Sequence, residues 1–185
     1  SIIEDLLRLS RLEQDSENGT IPTSPTLLRD VLQEVVELVG TQLTEKGVTL
    51  TIDCSPVIEA HVNRTLFEQA VVNLVENAIK YSERNKEVVI SAKTVGEELV
   101  LQVKDEGWGI ERHHLPRLFE RFYRVDRARD KRSGGTGLGL SIVKHVIAAH
   151  RGRVEVDSAP GKGSTFRICL PLSRPAEGGS EPAFH

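Results

Sequence analysis

The sequence is poor in features that define whole classes of protein. It has no methionine, two cysteines among 185 residues, and no apolar run near the roughly 20 residues that span a bilayer. No signal peptide precedes the first predicted helix. A net charge of −3 argues against general affinity for nucleic acid or anionic lipid. These absences favour a globular domain that lies outside the membrane and does not bind nucleic acid.

The cysteine content indicates a reducing compartment. Cys54 and Cys169 each lie in an alternating, strand-like run, which predicts buried free thiols and a cytoplasmic location. The chain also opens in mid-helix at Ile2 without a capping residue. Together with the missing methionine, this start predicts a piece of a longer protein.

Hydrophobic periodicity divides the chain into four parts. Ile2, Leu6 and Leu9 predict a packed helix over residues 1–13, followed by a polar linker over 14–24. The main domain is predicted over residues 25–173, and a Pro- and Gly-rich disordered tail over 174–185.

Within the main domain, three helices and several strands do not alternate regularly. Helices are predicted from Ser24-Pro25 to Gly47, from Asn63 to Tyr81 and over 138–150, with a short one near 115–122 in a long loop. Strands are predicted over 48–54, 88–92, 99–103, 153–158 and 164–170. This order predicts an α+β fold, a two-layer α/β sandwich with a mixed sheet of about five strands.

The second predicted helix carries a polar stripe on an otherwise apolar surface. Asn73, Asn77, Lys80 and Tyr81 recur at helical spacing. The stripe is either the solvent face of the helix or the wall of a site. Asparagine is a poor choice for an exposed helix face, and an amide oxygen can coordinate Mg²⁺ while a lysine one turn on meets phosphate.

Two glycine-rich segments offer complementary chemistry. Asp105 follows Leu99, Leu101 and Val103 on the apolar face of the third predicted strand. Its carboxylate either begins a capped turn or accepts a hydrogen bond from an exocyclic amine such as that of adenine. The residues 134–140 (GGTGLGL) lead directly into the third helix, where free backbone N–H groups favour an anion. A flexible hinge is the alternative, and neither a Walker loop nor a dinucleotide fingerprint matches.

A basic stretch lies between those two segments. Residues 117–132 contain seven Arg or Lys and three Asp or Glu. After Tyr123, apolar residues do not recur at the spacing of a helix or strand. The stretch is either a solvated face or a mobile lid that closes over a triphosphate.

Five motifs in this order resemble the ATP-binding domain of bacterial sensor histidine kinases, within the wider group that includes gyrase, Hsp90 and MutL. NLVENAIKYS is similar to the asparagine box of that family, DEGWGI to its first glycine box and LFERFYRVD to its phenylalanine box. GGTGLGLSIVKHV resembles the second glycine box, and GKGSTF the last. The resemblance covers residues 26 to about 172 and implies the Bergerat-type fold of that group.

The resemblance implies roles for individual residues, with ATP and Mg²⁺ as cofactors. Asn77 would hold the metal, and the catalytic residues would be Asn73, Asn77, Lys80 and Arg124. The phosphates or ribose would contact Lys80, Tyr81, Tyr123 and Arg124. The base would lie among Asp105, Gly107, Gly109, Ile110 and Thr165, and the phosphates against Gly135, Thr136, Gly137, Leu138, Gly139 and Leu140.

The resemblance also implies partners that lie outside the chain. No histidine here has the acidic and proline context of the family's phosphoacceptor. We therefore expect that residues 1–13 are the tail of an upstream dimerisation helix whose domain supplies the phosphorylated histidine. A response regulator would receive the phosphoryl group, and the parent would be a homodimeric inner-membrane sensor, although this fragment alone can be a monomer.

Two other hypotheses remain open. An ATPase of the gyrase or Hsp90 type needs a water-orienting carboxylate where Asn73 stands, and Glu76 is the carboxylate nearby, about 300° round the helix. A nucleotide sensor without catalysis, or a nucleic-acid binder that uses the arginine-rich stretch, is the third hypothesis.

Overall fold

The computed structural model describes residues 21–125 and 135–172. The predicted upstream helix, most of the linker, the C-terminal half of the basic stretch and the C-terminal tail lie outside these ranges. None of the helices within them combines the length and hydrophobicity needed to cross a bilayer. The strands are β1 (Ser24–Leu27), β2 (Thr49–Cys54), β3 (Glu59–Val62), β4 (Glu87–Val95), β5 (Glu98–Asp105), β6 (Arg153–Ser158) and β7 (Ser164–Pro171). The helices are α1 (Leu28–Lys46), α2 (Arg64–Tyr81) and α3 (Gly139–Ala149), with a 3-10 helix at Arg112–Arg117.

Five strands form one mixed sheet in the order β2-β4-β5-β7-β6. The β2–β4 pair is parallel, and the other three pairs are antiparallel. Side chains alternate across the sheet, so Ile90, Leu101 and Ile168 from neighbouring strands are all fully buried on one face. The α+β class and the mixed five-stranded sheet are therefore as predicted.

The three long helices cover that face of the sheet, with α2 packed between α1 and α3. Nearly every apolar residue of α2 is buried because the helix contacts both neighbours and the sheet. His150, at the end of α3, ties this layer together. Its Nε2 accepts the Asn63 N–H (2.9 Å) at the start of α2, and its Nδ1 contacts the Val146 carbonyl (2.7 Å). The two helices that carry the polar stripe and the glycine segment are thereby fixed to each other.

Most helix ends follow the sequence signals. The Asn63 side chain accepts the Leu66 N–H (3.2 Å) and caps α2, as its position predicts. Gly47 ends α1 in a left-handed conformation (φ 67°) that few side chains tolerate. Cys54 and Cys169 are buried free thiols, also as predicted.

Two local predictions are wrong. Ser24-Pro25 begins strand β1, not a helix, because β1 pairs with β3, a strand that the sequence pattern did not reveal. Helix α1 begins at Leu28 without a side-chain cap, and its first N–H donates to the Ile58 carbonyl (2.9 Å). The predicted short helix near 115–122 is instead the 3-10 helix, which begins three residues earlier.

Candidate functional site

The polar stripe of α2 is not a solvent face. Asn73, Asn77 and Lys80 are each only partly accessible, and Tyr81, at the end of the helix, is 37% exposed. The Nδ2 atom of Asn73 is buried without a hydrogen-bond partner among the described residues. A buried amide donor left in this state costs about 1–3 kcal/mol. The helix therefore carries a free donor at a protected position, which is typical of a ligand site.

The glycine segment lies directly over this stripe. A Cβ added to Gly139, the first residue of α3, would lie 3.6 Å from Asn73 Oδ1. A Cβ added to Gly135 would lie 2.6 Å from Lys80 Nζ. A side chain at 135 would shift the flexible lysine, so this distance shows how closely the segment approaches Lys80. The N-terminal end of α3, the lysine and the asparagines thus face one another, an arrangement that favours an anion.

Within the segment, the chain turns sharply before α3. Gly137 has φ 75°, a left-handed conformation that glycine adopts without strain. The Leu138 N–H donates to Thr136 Oγ1 (3.2 Å), and the Leu138 side chain is fully buried. The turn is therefore anchored from inside while its backbone faces α2.

Asp105 ends β5 in a buried position, with 4% of its surface exposed. Its Oδ1 atom accepts N–H bonds from Gly107 (2.8 Å) and Ser164 (3.1 Å). Burial raises the pKa of the Asp105 carboxyl, and the two N–H bonds lower it only in part. Both bonds from described residues end on Oδ1, so within those ranges the second oxygen is left to accept a donor from a ligand.

The loop after β5 joins Asp105 to the end of the asparagine helix. The Trp108 N–H donates to the Tyr81 carbonyl (3.3 Å), and a Cβ added to Gly107 would lie 2.4 Å from that same oxygen. At Gly109, with φ 70°, an added Cβ would lie 1.9 Å from the Ala159 carbonyl oxygen. Both glycines therefore permit backbone contacts that no other residue allows.

The asparagine-bearing helix α2 and the loop after Asp105 are therefore directly connected. The asparagine stripe ends at Tyr81, and the Asp105 loop is bonded to that residue. Ile110, the last residue of the first glycine motif, is fixed by a bond from its N–H to Ser158 Oγ (2.8 Å).

Thr165 lies on the opposite face of the sheet from Asp105, so the register between β5 and β7 does not support the predicted placement of this residue beside the base. Phe166 and Ile168 point into the core, so alternation turns Thr165 away from it, opposite Lys104. Ser164 is the register partner of Asp105 and donates its backbone N–H to it. Strand alternation in the sequence could have identified Ser164.

Ser158 is a second residue that the sequence did not reveal. Its Oγ lies 3.0 Å from Ser164 Oγ and donates to the Gly163 carbonyl (2.9 Å). It therefore connects β6, the turn before β7 and, through Ile110, the loop after β5.

Tyr123 and Arg124 lie on the other side of the glycine segment. Both are half-buried, and the preceding Phe122 N–H donates to the Gly137 carbonyl (2.9 Å). The structure thus brings this predicted pair next to the glycine segment, whereas residues 126–132 of the basic stretch lie outside the described ranges.

Glu76 does not stand alone on α2. Its Oε1 accepts a hydrogen bond from Gln42 Nε2 (2.7 Å) on α1, so the carboxylate is engaged at the α1–α2 contact.

Comparison with known proteins identifies the family. The family described as "Histidine kinase-, DNA gyrase B-, and HSP90-like ATPase" matches residues 62–174, more than half of the chain. The chain belongs to this ATPase family. The matched region contains α2, β5, the glycine segment and β7, which are the elements that carry the site.

Among curated proteins, the chain is 38% identical over 177 residues to the phosphate regulon sensor protein PhoR of Pseudomonas aeruginosa, covering 96% of the chain and 40% of PhoR. It is 39% identical over 171 residues to the sensor-like histidine kinase SenX3 of Mycolicibacterium smegmatis, covering 92% and 44%. The chain therefore spans less than half the length of these relatives. Full-length ShkA in complex with AMPPNP superimposes with a TM-score of 0.77 at 28% identity, covering 95% of the chain and 36% of ShkA.

Proposed function

We propose that the chain is the ATP-binding catalytic domain of a sensor histidine kinase in a two-component system. It binds Mg-ATP and presents the γ-phosphoryl group to a histidine on a dimerisation domain that is not in this chain. A response regulator aspartate then receives the group. The likeness to PhoR, SenX3 and ShkA supports this proposal, since those proteins are named as sensors or crystallised with AMPPNP, a close analogue of ATP.

The observation that carries the proposal is the unsatisfied Nδ2 of Asn73 beneath the glycine segment. A protein retains a costly buried donor where a ligand completes it. Lys80 Nζ and the start of α3 supply positive charge beside it, so the expected ligand is anionic. A triphosphate meets both requirements.

At the other end of the site, Asp105 supplies base recognition. Its Oδ2 would accept a hydrogen bond from the adenine amino group, while its Oδ1 stays bound to backbone N–H groups. Gly107 and Gly109 hold the loop beside Asp105, because their missing side chains leave room for the Tyr81 and Ala159 carbonyl oxygens. We replace Thr165 by Ser164 in this set because Ser164 is the residue paired with Asp105.

The residues present also fit a magnesium ion. Among the described residues no three His, Cys, Asp or Glu side chains converge as metal ligands, so amide and phosphate oxygens would form the site. Asn77 would provide the amide oxygen, one turn beyond Asn73. When bound, Mg²⁺ neutralises phosphate charge and aligns the terminal phosphoryl group. Lys80 and Arg124 would stabilise the charge that remains.

The structure favours a kinase over a hydrolytic ATPase of the gyrase type. Hydrolysis needs a carboxylate that orients water, and the position one turn before Asn77 holds Asn73. The nearby carboxylate, Glu76, is bound to Gln42 on α1. Phosphoryl transfer to an imidazole needs no strong base on this chain, because imidazole is largely neutral near pH 7.

The remaining proposals concern the parent protein. Because the relatives are about twice as long as the chain, we propose that the parent is a dimeric, membrane-anchored sensor whose cytoplasmic portion includes this domain. Residues 1–13 would then continue the dimerisation helix.

The test is transfer of labelled phosphate. The chain is incubated with γ-labelled Mg-ATP and the separately produced dimerisation domain of the same parent protein, and acid-labile phosphate on that domain is measured. We expect transfer by the wild type and none by Asn77→Ala. Rapid steady hydrolysis of ATP by the chain alone, without transfer, would favour the ATPase hypothesis instead.

A further inference from the structure

The Arg112–Arg117 helix places a histidine against a residue of the candidate site. His114 Nδ1 lies 2.6 Å from the Tyr123 hydroxyl, and both side chains are half-buried. We propose that His114 is a positioning residue that holds Tyr123, and through Phe122 the glycine segment, in the shape that accepts a triphosphate. This inference depends on the proposed function because it concerns the same nucleotide site.

Tyr123 is held from three directions. His114 bonds its hydroxyl, and the Arg117 guanidinium lies 4.3 Å from the centre of its ring. The Tyr123 N–H donates to the Glu120 carbonyl (3.3 Å). Arg117 is itself fixed by three bonds to the Glu120 carboxylate. His114 is the contact that ties the tip of the ring to the preceding helix.

The residue before Tyr123 connects this clamp to the glycine segment. Phe122 has φ 62°, a left-handed conformation that is costly for a bulky residue and persists only where its neighbours hold it. Its N–H donates to the Gly137 carbonyl (2.9 Å), and a Cβ added to Gly137 would lie 2.9 Å from the Phe122 Cα. The two backbones are in direct contact, so a shift of one displaces the other.

Anchoring Tyr123 therefore stabilises the Phe122 conformation and, with it, the position of Gly137. Gly137 is two residues before α3, and Gly139 faces Asn73. Loss of the His114 contact would let the segment sample other conformations. The affinity for phosphates would fall by the fraction of time that the segment is displaced.

The first test compares substitutions at His114 by calorimetry with Mg-ATP. His114→Ala should weaken binding about fivefold, which corresponds to the roughly 1 kcal/mol of one net hydrogen bond. His114→Asn should restore most of the affinity, because its amide reaches the place of Nδ1. His114→Gln should restore less, because its amide extends towards the place of Nε2. The matched control is His61→Ala, at an exposed histidine on β3, and its affinity should change less than twofold.

The second test is a double-mutant cycle with Tyr123→Phe, which removes only the hydroxyl. Each single variant should lose affinity, and the double variant should lose no more than His114→Ala alone. Adenosine, which lacks phosphates, should bind His114→Ala as it binds the wild type, whereas a general loss of structure would weaken both ligands.

The outcomes separate the inference from the function on which it depends. If the wild type does not bind Mg-ATP, the proposed function fails. If the wild type binds and His114→Ala binds equally well, or loses adenosine and Mg-ATP in the same proportion, the role of His114 is refuted.

Discussion

Asp105→Asn should separate base recognition from folding. Asparagine keeps an oxygen that can accept the N–H bonds of Gly107 and Ser164, so the turn after β5 is retained. The second position changes from an acceptor to an N–H₂ donor, which would then face the adenine amino group. One charge-assisted hydrogen bond is lost, a cost of about 2–3 kcal/mol, and Mg-ATP affinity should fall about 30- to 160-fold.

The assay is calorimetric titration of wild type and variant with Mg-ATP and Mg-GTP. Guanine carries an oxygen where adenine carries the amino group, so GTP affinity should stay equal or rise and the preference for ATP should collapse. An equal proportional loss for both nucleotides would refute the role of Asp105.

The same variant predicts a pH dependence of stability. Burial raises the pKa of the Asp105 carboxyl in the folded state, so ionisation above that pKa weakens the fold. The nucleotide-free wild type should therefore gain stability relative to Asp105→Asn as the pH falls from 7 towards 3.8, the ordinary value for aspartate. Denaturant unfolding across this range measures the difference, and a wild type that loses stability relative to the variant on acidification would contradict the reasoning.

Three further substitutions, two of them with a control variant, test separate parts of the structure. Asn77→Ala should abolish Mg²⁺-dependent nucleotide binding while thermal unfolding stays within a few degrees, and unchanged affinity in calorimetry would exclude the metal role. Ser164→Ala keeps the backbone N–H that Asp105 accepts and removes only the hydroxyl. If that hydroxyl contacts the base, Mg-ATP binding should weaken about fivefold, as expected for one hydrogen bond. Thr165→Ala on the other face should leave binding unchanged, and the reverse order would restore the original assignment. Gly109→Ala should destabilise the domain by about 3 kcal/mol or more, because Gly109 has φ 70° and an added Cβ would lie 1.9 Å from the Ala159 carbonyl oxygen. The control is Gly40→Ala, in open space on α1, which should stabilise the domain by about 1 kcal/mol.

The order of the motifs was sufficient to predict the family, the fold class and the mixed sheet. Each signal was local and physical: Asn63 caps α2, Gly47 ends α1, and alternating apolar residues mark β4 and β5. Signals of this kind survive folding because the tertiary structure reinforces them.

The errors arose where a distant partner decides local structure. Ser24-Pro25 has the features of a helix start, but pairing with β3, about 35 residues away, draws it into a strand. Thr165 was predicted beside the base from its place in a motif, and a motif fixes spacing along the chain but not the face on which a side chain lies. The register between β5 and β7 decides that face.

The sequence by itself determined that asparagines, glycines and one aspartate occur in an order suited to a nucleotide and its metal. It could not show that the Asn73 amide nitrogen is buried without a partner in the part of the chain that the structure describes, that Glu76 is engaged by α1, or that His114 reaches Tyr123. These facts depend on how helices and loops pack across tens of residues. The residue types determine which chemistry is available to the chain. Burial and hydrogen-bond partners exist only once the chain has folded.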